Sequence, residues 1–514
     1  MAGFEFVNVT DPKEVKKHSS KIRRHVMKDI GKARRKPKPR DRRQTKIIDE
    51  QPKIGEEDDS RPADRAEDEV EKDLRSYIHK MTTAGVRNDG HISQMVYPFE
   101  MTEDRIQLAR YMIEEARHVY RPFRFAWLSV GLTDAASWNI TLANAALFRS
   151  RGLGAEVTEY TESQEALKYY TLSLESISKR LQDPEEVGSE GLVIAVTGFI
   201  CHDNSVGNFE RMNDHLKGLK HIVEKRGGLE KLSSPFLRLM ISWHDLCAAT
   251  YLNASPYFKV PEGSLTEIDT GDDTMYLDVL LRDWDFQCPS LGDIMCALKA
   301  TAKVAIYVNR HGHEPNFWKD DVTIARLLGP ASHEILTLEG RPLPSDSADP
   351  EYSGIAAREA FRRAALIFLA DVKIRCLAGA RELPRHLDAF RQISRLPLVN
   401  WTVVPELNLW AHVVAAIQED SDERAWHVAV ISGIMDALGL ETGSQALDVA
   451  RGVIWAESIM GEKAQALSDH IDSHRRLNVL SQHLQDVPLD PLLEDFDFAQ
   501  LASLEASQLG PTQS

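Results

Sequence analysis

The sequence predicts an all-α fold. It reads as one large irregular helical domain with a basic N-terminal arm, an acidic linker and an acidic C-terminal tail, the three flanking segments disordered by composition. Three observations carry this. Apolar residues between about 74 and 480 recur with the 3.6-residue helical period. Alternating β-branched runs are rare. Gly and Pro fall between the helical patterns, as in RGLGAE, KRGGLE and EGRPLPSDSADPEYSG. A chain of 514 residues, 43% hydrophobic, can bury a large core.

The arm, residues 1–46, holds 16 Lys and Arg against 5 Asp and Glu, a balance of +11; the net charge of −16 then leaves −27 for the remainder. A body that acidic does not attract polyanions by its general field, so any nucleic-acid contact must use the arm or a local patch. Ser19 or Ser20 can cap a helix that starts near Lys21, with Ile22, Val26 and Ile30 along one side. Pro37 and Pro39 stop it, and KPKPRDRR continues as extended basic chain. The candidate contact residues are Lys16, Lys17, Lys21, Arg23, Arg24, Lys28, Lys32, Arg34, Arg35, Arg40, Arg42 and Arg43. A Lys/Arg cluster of this kind fits a nuclear import receptor. It also fits DNA phosphates, with little sequence specificity because no second base-reading element accompanies it. Calmodulin, an anionic membrane or solvent alone are the remaining readings of the same residues.

The linker follows. Asp49–Asp73 carries 12 acidic and 4 basic residues and almost nothing apolar, so residues 47–73 cannot bury enough surface to fold. Such a stretch can fold back electrostatically on the arm.

The body, residues 74–480, opens with DRIQLARYMIEEARHVY, which aligns Ile106, Ala109, Tyr111–Ile113, Ala116 and Val119–Tyr120. In SQEALKYYTLSLESISKRL the stripe reads Leu167, Tyr170, Leu174, Ile177 and Leu181. In NDHLKGLKHIVEKRGGLEKL, Met212, Leu216, Leu219 and Val223 face a core, Lys225 and Arg226 favour the negative helix end, and Gly227 or Gly228 ends the helix. EAFRRAALIFLADVKIRCL and LNLWAHVVAAIQ are apolar enough to be buried helices. No run of about 18 apolar residues occurs, so no membrane partner is expected. The N-terminal stretch MAGFEFVNVTDPKEVKK has no apolar h-region of a secretory signal.

Enzymatic chemistry finds no support. The chain has no phosphate-loop, dinucleotide or nucleophile-elbow motif. His311 and His313 in HGHEPNF have the wrong spacing for a helical metal pair and predict a surface loop. CHDNS, Cys201–Ser205, offers a potential nucleophile and base, but adjacent side chains on a predicted helix point apart, and His244 and Asp245 fail for the same reason, so neither pair makes a dyad. The five cysteines, Cys201, Cys247, Cys288, Cys296 and Cys376, are scattered and read as buried free thiols. No cofactor is implied.

The tail, residues 481–514, contains no Lys or Arg and six acids. In DPLLEDFDFAQL, Asp495 and Asp497 interleave with Leu492, Leu493, Phe496 and Phe498. Acidic-hydrophobic interleaving marks disordered activation segments that dock bulky residues into a coactivator groove. The alternative is a C-terminal helix packed on the body.

Taken together, HLKGLKHIVEKRGGLEKL, LRLMISWHDLCAATYL, AFRRAALIFLA and ELNLWAHVVAA resemble the fungal-specific transcription factor domain of the second type. The start FEFVNVTDP…KIRRHVMKDIGKARRK is similar to the subset often labelled tachykinin family. The resemblance implies an all-α regulatory body, nuclear location, dimerisation, and control of fungal metabolic genes, including secondary-metabolite clusters. Many relatives carry an N-terminal zinc cluster of six cysteines; here no cysteine precedes Cys201. The resemblance therefore also admits a scaffold or adaptor that acts through protein partners and does not itself bind DNA.

Overall fold

Short polar residues before apolar stretches become helix starts. In a computed structural model, the described residues are 98–112, 131–132, 134–149, 162–261, 263–349, 351–376, 380–396 and 404–486. Among them are fifteen α-helices and no strand. Six surround a first core: α1 Glu103–Arg110, α2 Ala135–Arg149, α3 Gln164–Arg180, α4 Glu190–Val206, α5 Phe209–Arg226 and α6 Pro235–Leu252. Ser163, Ser189, Asn208 and Ser234 cap α3 to α6, each accepting a bond from a backbone N–H three residues on.

Nine helices build a second core: α7 Met275–Gln287, α8 Ile294–His311, α9 Asp321–Leu336, α10 Tyr352–Arg375, α11 Leu383–Ser394, α12 Pro405–Gln418, α13 Ser421–Leu438, α14 Gly443–Val453 and α15 Glu457–Asp486. Trp284, Phe361, Phe368, Phe390 and Trp410 fill it. Helix α6 belongs to both. Phe236 and Met240 face the first core, Leu246 and Ala249 the second, and Trp243 packs against each. The central helices α10 and α12 are buried on nearly all sides, as their sequences predict.

The α5 stripe is as expected: Met212, Leu216, Leu219 and Val223 are all buried. Each is worth about 1.5–3 kcal/mol of transfer free energy. Gly227 ends α5 with φ 95°, a left-handed conformation that only glycine adopts cheaply. A short 3₁₀ turn, Leu229–Lys231, then leads to α6.

The α3 stripe is corrected. Leu167, Leu174 and Leu181 lie on the exposed side, and the buried face is Ala166, Tyr169, Tyr170, Ser173 and Ile177. Small residues let α3 approach α2 closely, and Ser173 Oγ donates to Ala136 O at 2.8 Å. Size had pointed to the leucines; close packing selects alanine and serine. In the opening helix, Leu108, Ala109, Tyr111 and Met112 are buried, and residues 113–120 lie outside the described set. The cysteines also divide: Cys201, Cys247 and Cys376 are buried, Cys288 is half-buried and Cys296 is exposed, because it occupies the outer side of α8.

Candidate functional site

The arm residues Lys16 to Arg43 and the tail residues Leu492, Leu493, Asp495, Phe496, Asp497 and Phe498 lie outside the described residues. What the described residues do bring together is buried polar chemistry at three places.

The first lies within the N-terminal core. Helix α4 is enclosed on most sides, so its adjacent His202 and Asp203 both meet protein although they point apart. His202 Nδ1 is 2.8 Å from Asn144 Oδ1 on α2, and its Nε2 is 3.3 Å from Glu162 Oε1. Arg211 on α5 donates from Nε to Asp203 Oδ1 and from a terminal nitrogen to Glu162 Oε1, both at 2.7 Å. His215, one turn on, places Nε2 3.0 Å from Tyr170 Oη and 3.5 Å from Asp203 Oδ2.

Electrostatics sorts these groups. The hydrogen bond from His202, with Arg211 behind it, holds Glu162 down at about 2. Burial pushes Asp203 up to about 7 against the pull of Arg211. Burial and Arg211 push His215 down to about 4. His215 is therefore a neutral imidazole near neutral pH, and its contact with Asp203 is not a full ion pair. Asp203 Oδ2 makes no hydrogen bond, which suits a carboxyl that readily takes a proton on that oxygen. His202 and Asp203 are wholly enclosed, so substrate does not reach them. The network locks α2, α3, α4 and α5 together.

The second place is the seam between the cores. Lys373 of α10 reaches Glu382 Oε1 at 2.9 Å and lies 5.7 Å from the Trp243 ring centre. Burial alone would push Lys373 down, but its acidic neighbours hold it above the usual lysine range. Burial pushes the Cys247 thiol up, so the counter-charge is the Glu382 carboxylate. A cavity of about 20 Å³ between Trp243, Cys247, Lys373 and Glu382 has room for about one water. Two further ties cross the seam. Arg362 donates to Asn253 Oδ1 at 2.5 Å, and Arg381 donates to Ser205 O at 2.7 Å. Gly207, with φ 77°, ends α4 where any Cβ would strike the Arg381 guanidinium.

The third place is in the second core. His412 Nδ1 of α12 and His427 Nδ1 of α13 are 3.1 Å apart, both rings fully enclosed. One must donate and the other accept, so at least one Nδ1 carries no proton. Burial pushes both well down, and Phe390 packs beside each ring. Among the described residues no three His, Cys, Asp or Glu converge as a metal site requires.

Each of these places joins separate helices. The chain matches the model of the fungal specific transcription factor domain over residues 93–396. It belongs to that family. No curated protein and no solved structure matches it. The family is one of transcription regulators. Its matched span takes in the first core, the seam and α7 to α11; α12 to α15, with the His412–His427 pair, lie beyond it and complete the second core. His311 and His313 take part in none of these places: His311 pairs with Glu314 at 2.7 Å on the surface. Sequence reasoning missed Arg211, Lys373 and Glu382. The available signal was a charged residue inside an apolar helical pattern, as Lys373 is in LIFLADVKIRCL. No described helix is long and apolar enough to cross a membrane.

Proposed function

We propose that the chain regulates transcription of fungal metabolic genes from within the nucleus. The family match over residues 93–396 carries this reading. The all-α body, residues 74–480, serves as the regulatory and dimerisation module. The basic arm, residues 1–46, is read by a nuclear import receptor and contributes phosphate contacts to DNA; the acidic linker, 47–73, spaces it from the body. The tail, 481–514, docks on a coactivator. The arm's +11 balance and the tail's acidic-aromatic interleaving support these assignments. Deleting residues 13–46 should move a fluorescent fusion from nucleus to cytosol; an unchanged nuclear signal overturns the import role. Fusing residues 481–514 to an unrelated DNA-binding domain should activate a reporter, and the Phe496→Ala/Phe498→Ala pair should reduce it more than Asp495→Asn/Asp497→Asn. Burying a large apolar side chain is worth about 1.5–3 kcal/mol, an exposed charge pair about 0–1. A silent fusion removes the coactivator role.

A second reading is an adaptor that works through protein partners. It is favoured by the cysteines, all of which fall at Cys201 or later in the body and supply no six-cysteine cluster. Chromatin immunoprecipitation with and without residues 1–46 separates the two: promoter occupancy lost with the arm supports direct contact, and occupancy retained without it supports the adaptor.

A further inference from the structure

Helix α7 presents two unlike faces. Leu277, Leu280, Leu281 and Trp284 point into the second core and are buried. On the opposite side Met275, Val279 and Phe286 form a stripe at i, i+4 and i+11, and they are 63%, 43% and 88% exposed. An aromatic side chain left almost wholly in water is unusual on a finished surface, and the three apolar groups share one face with the exposed Arg282, which lies between Val279 and Phe286. Acids flank it. Residues 267–285 hold Glu267, Asp269, Asp272, Asp273, Asp278, Asp283 and Asp285 against Arg282 alone, a balance of −6. Asp273 and Asp278 are paired with Arg310 and Lys299. Asp272, Asp283 and Asp285 are exposed and make no ion pair with the described residues.

An occupant of this face must be a short amphipathic helix with an apolar strip and basic flanks. We propose that it is the chain's own segment 20–35, held against α7 by Ile22, Val26 and Ile30. Residues 21–35 carry seven Lys or Arg and one Asp, a balance of +6 against the −6 of 267–285. At 1.5 Å per residue the two strips run about 12 Å and about 16 Å, so the shorter fits along the longer. Residues 36–97 join the arm to the described body, and 62 residues at random-coil dimensions would span roughly 45 Å in the root mean square. A body of about 400 residues has a radius of gyration of roughly 21 Å, so a span of this size is comparable with the body itself. Other occupants are disfavoured by the same charges. The tail has six acids and no base, and a second copy would set like-charged acid rows against each other.

Docking of this kind covers the arm's apolar side and engages its cations, so an import receptor or phosphates must compete with the body for it. That consequence rests on the proposed role of the arm; the docking itself does not. The test is hydrogen exchange on the full-length protein at low salt. Amides of residues 22–35 should exchange at least about tenfold more slowly in the wild type than in a Val279→Gln/Phe286→Gln variant, the loss of roughly one buried apolar side chain. Both positions are exposed, so the melting temperature should not move. An independent Asp283→Lys/Asp285→Lys variant, and wild type at about 0.5 M salt, should release the segment as well. Arm amides that exchange as free chain in the wild type overturn the proposal. So does protection that survives the glutamine pair, which would place the arm elsewhere, for example on residues 49–73.

Discussion

The two cores bury the same kinds of side chain and treat them differently. In the first, His202, Asp203, Arg211 and His215 share a network with one permanent cation, and its rim residues Glu162 and Arg211 keep about a quarter of their side-chain surface in water. In the second, His412 and His427 meet in a pocket walled by Phe390 and Trp426, with Glu419 Oε1 4.0 Å from His427 Nε2. Desolvation drives each group to its neutral form whatever its sign: Asp203 is pushed up, and the histidines are pushed down. In the first core two raised carboxyls, Asp203 and Asp245 at about 7, oppose two lowered histidines, His202 and His215, between pH 4 and 6.5. In the second, four lowered histidines, His333, His386, His412 and His427, outnumber the two raised carboxyls, Asp371 and Glu419. The opposing groups are therefore more evenly matched in the first core than in the second.

The harshest way to break the comparison is to ignore polarity and attack packing. Leu219 is fully buried in the first core. Leu219→Asp would bury a carboxyl with no partner and should lower stability by more than about 4 kcal/mol, an exceptional value for one substitution. Because α6 belongs to both cores, circular dichroism and tryptophan fluorescence should report one shifted urea transition. Trp138 reports the first core and Trp284 and Trp410 the second. Separate transitions would mean that the cores are independent and that the seam carries little.

The next effect concerns the permanent cation. Arg211→Met strands Asp203 and Glu162, and should cost about 3 kcal/mol near pH 7.5. Without the guanidinium, Asp203 takes up a proton even more readily, so the penalty should shrink at pH 5.5. Adding Asp203→Asn should recover part of the loss at pH 7.5 and none at pH 5.5. Equal penalties at both pH values would show that Arg211 acts by packing over Tyr170, whose ring centre is 4.9 Å away.

These residues also mark how far the sequence could be read. The helical class, the α5 stripe, the Gly227 cap and the buried α10 and α12 follow from periodicity and backbone chemistry, which are local. The α3 face did not follow, because Ala166 and Ser173 are selected by the approach of α2, a tertiary fact. The polar network was invisible for the same reason. Asn144, Glu162, His202 and Arg211 are far apart in sequence and meet only when α2 to α5 pack. The rule that adjacent side chains in CHDNS point apart says nothing about what waits in each direction.

A smaller effect tests the pH contrast itself. A histidine whose folded pKa lies below its unfolded value of about 6.5 leaves the unfolded chain to bind the proton first, so stability falls as pH drops below 6.5. Wild-type stability should therefore decline from pH 6.5 to 5. In His427→Gln, a side-chain amide can still donate to His412 but takes up no proton. The slope should flatten by up to about 1.4 kcal/mol per pH unit, one proton's share. His215→Gln in the first core removes a contribution of the same sign and should flatten the slope in the same direction. A slope that stays unchanged in either variant would mean that its histidine binds protons alike in the folded and unfolded chain.

The smallest effect compares helix caps. Thr442 opens α14 in the second core with a capping box: its hydroxyl accepts from Gln445 N at 3.3 Å, and the Gln445 side chain accepts from Thr442 N at 3.1 Å. Ser189 opens α4 in the first core. It accepts from Leu192 N at 3.4 Å and also from Arg180 at 2.8 Å. That arginine in turn binds Asp134 at 2.8 Å and Glu186 at 3.2 Å, so the Ser189 oxygen is the neutral corner of an ionic cluster that fixes the start of α2 against the end of α3. Thr442→Ala removes one cap and leaves Gln445 free to keep its half of the box, which predicts a loss of about 1 kcal/mol. Ser189→Ala removes a longer cap bond but also a charge-assisted bond at a half-buried guanidinium. It should cost more than Thr442→Ala, although its cap geometry is the weaker of the two. Urea midpoints at pH 7.5 resolve the order. If Thr442→Ala is the more damaging, the backbone cap outweighs the arginine bond, and the first core depends less on its polar network than its chemistry implies.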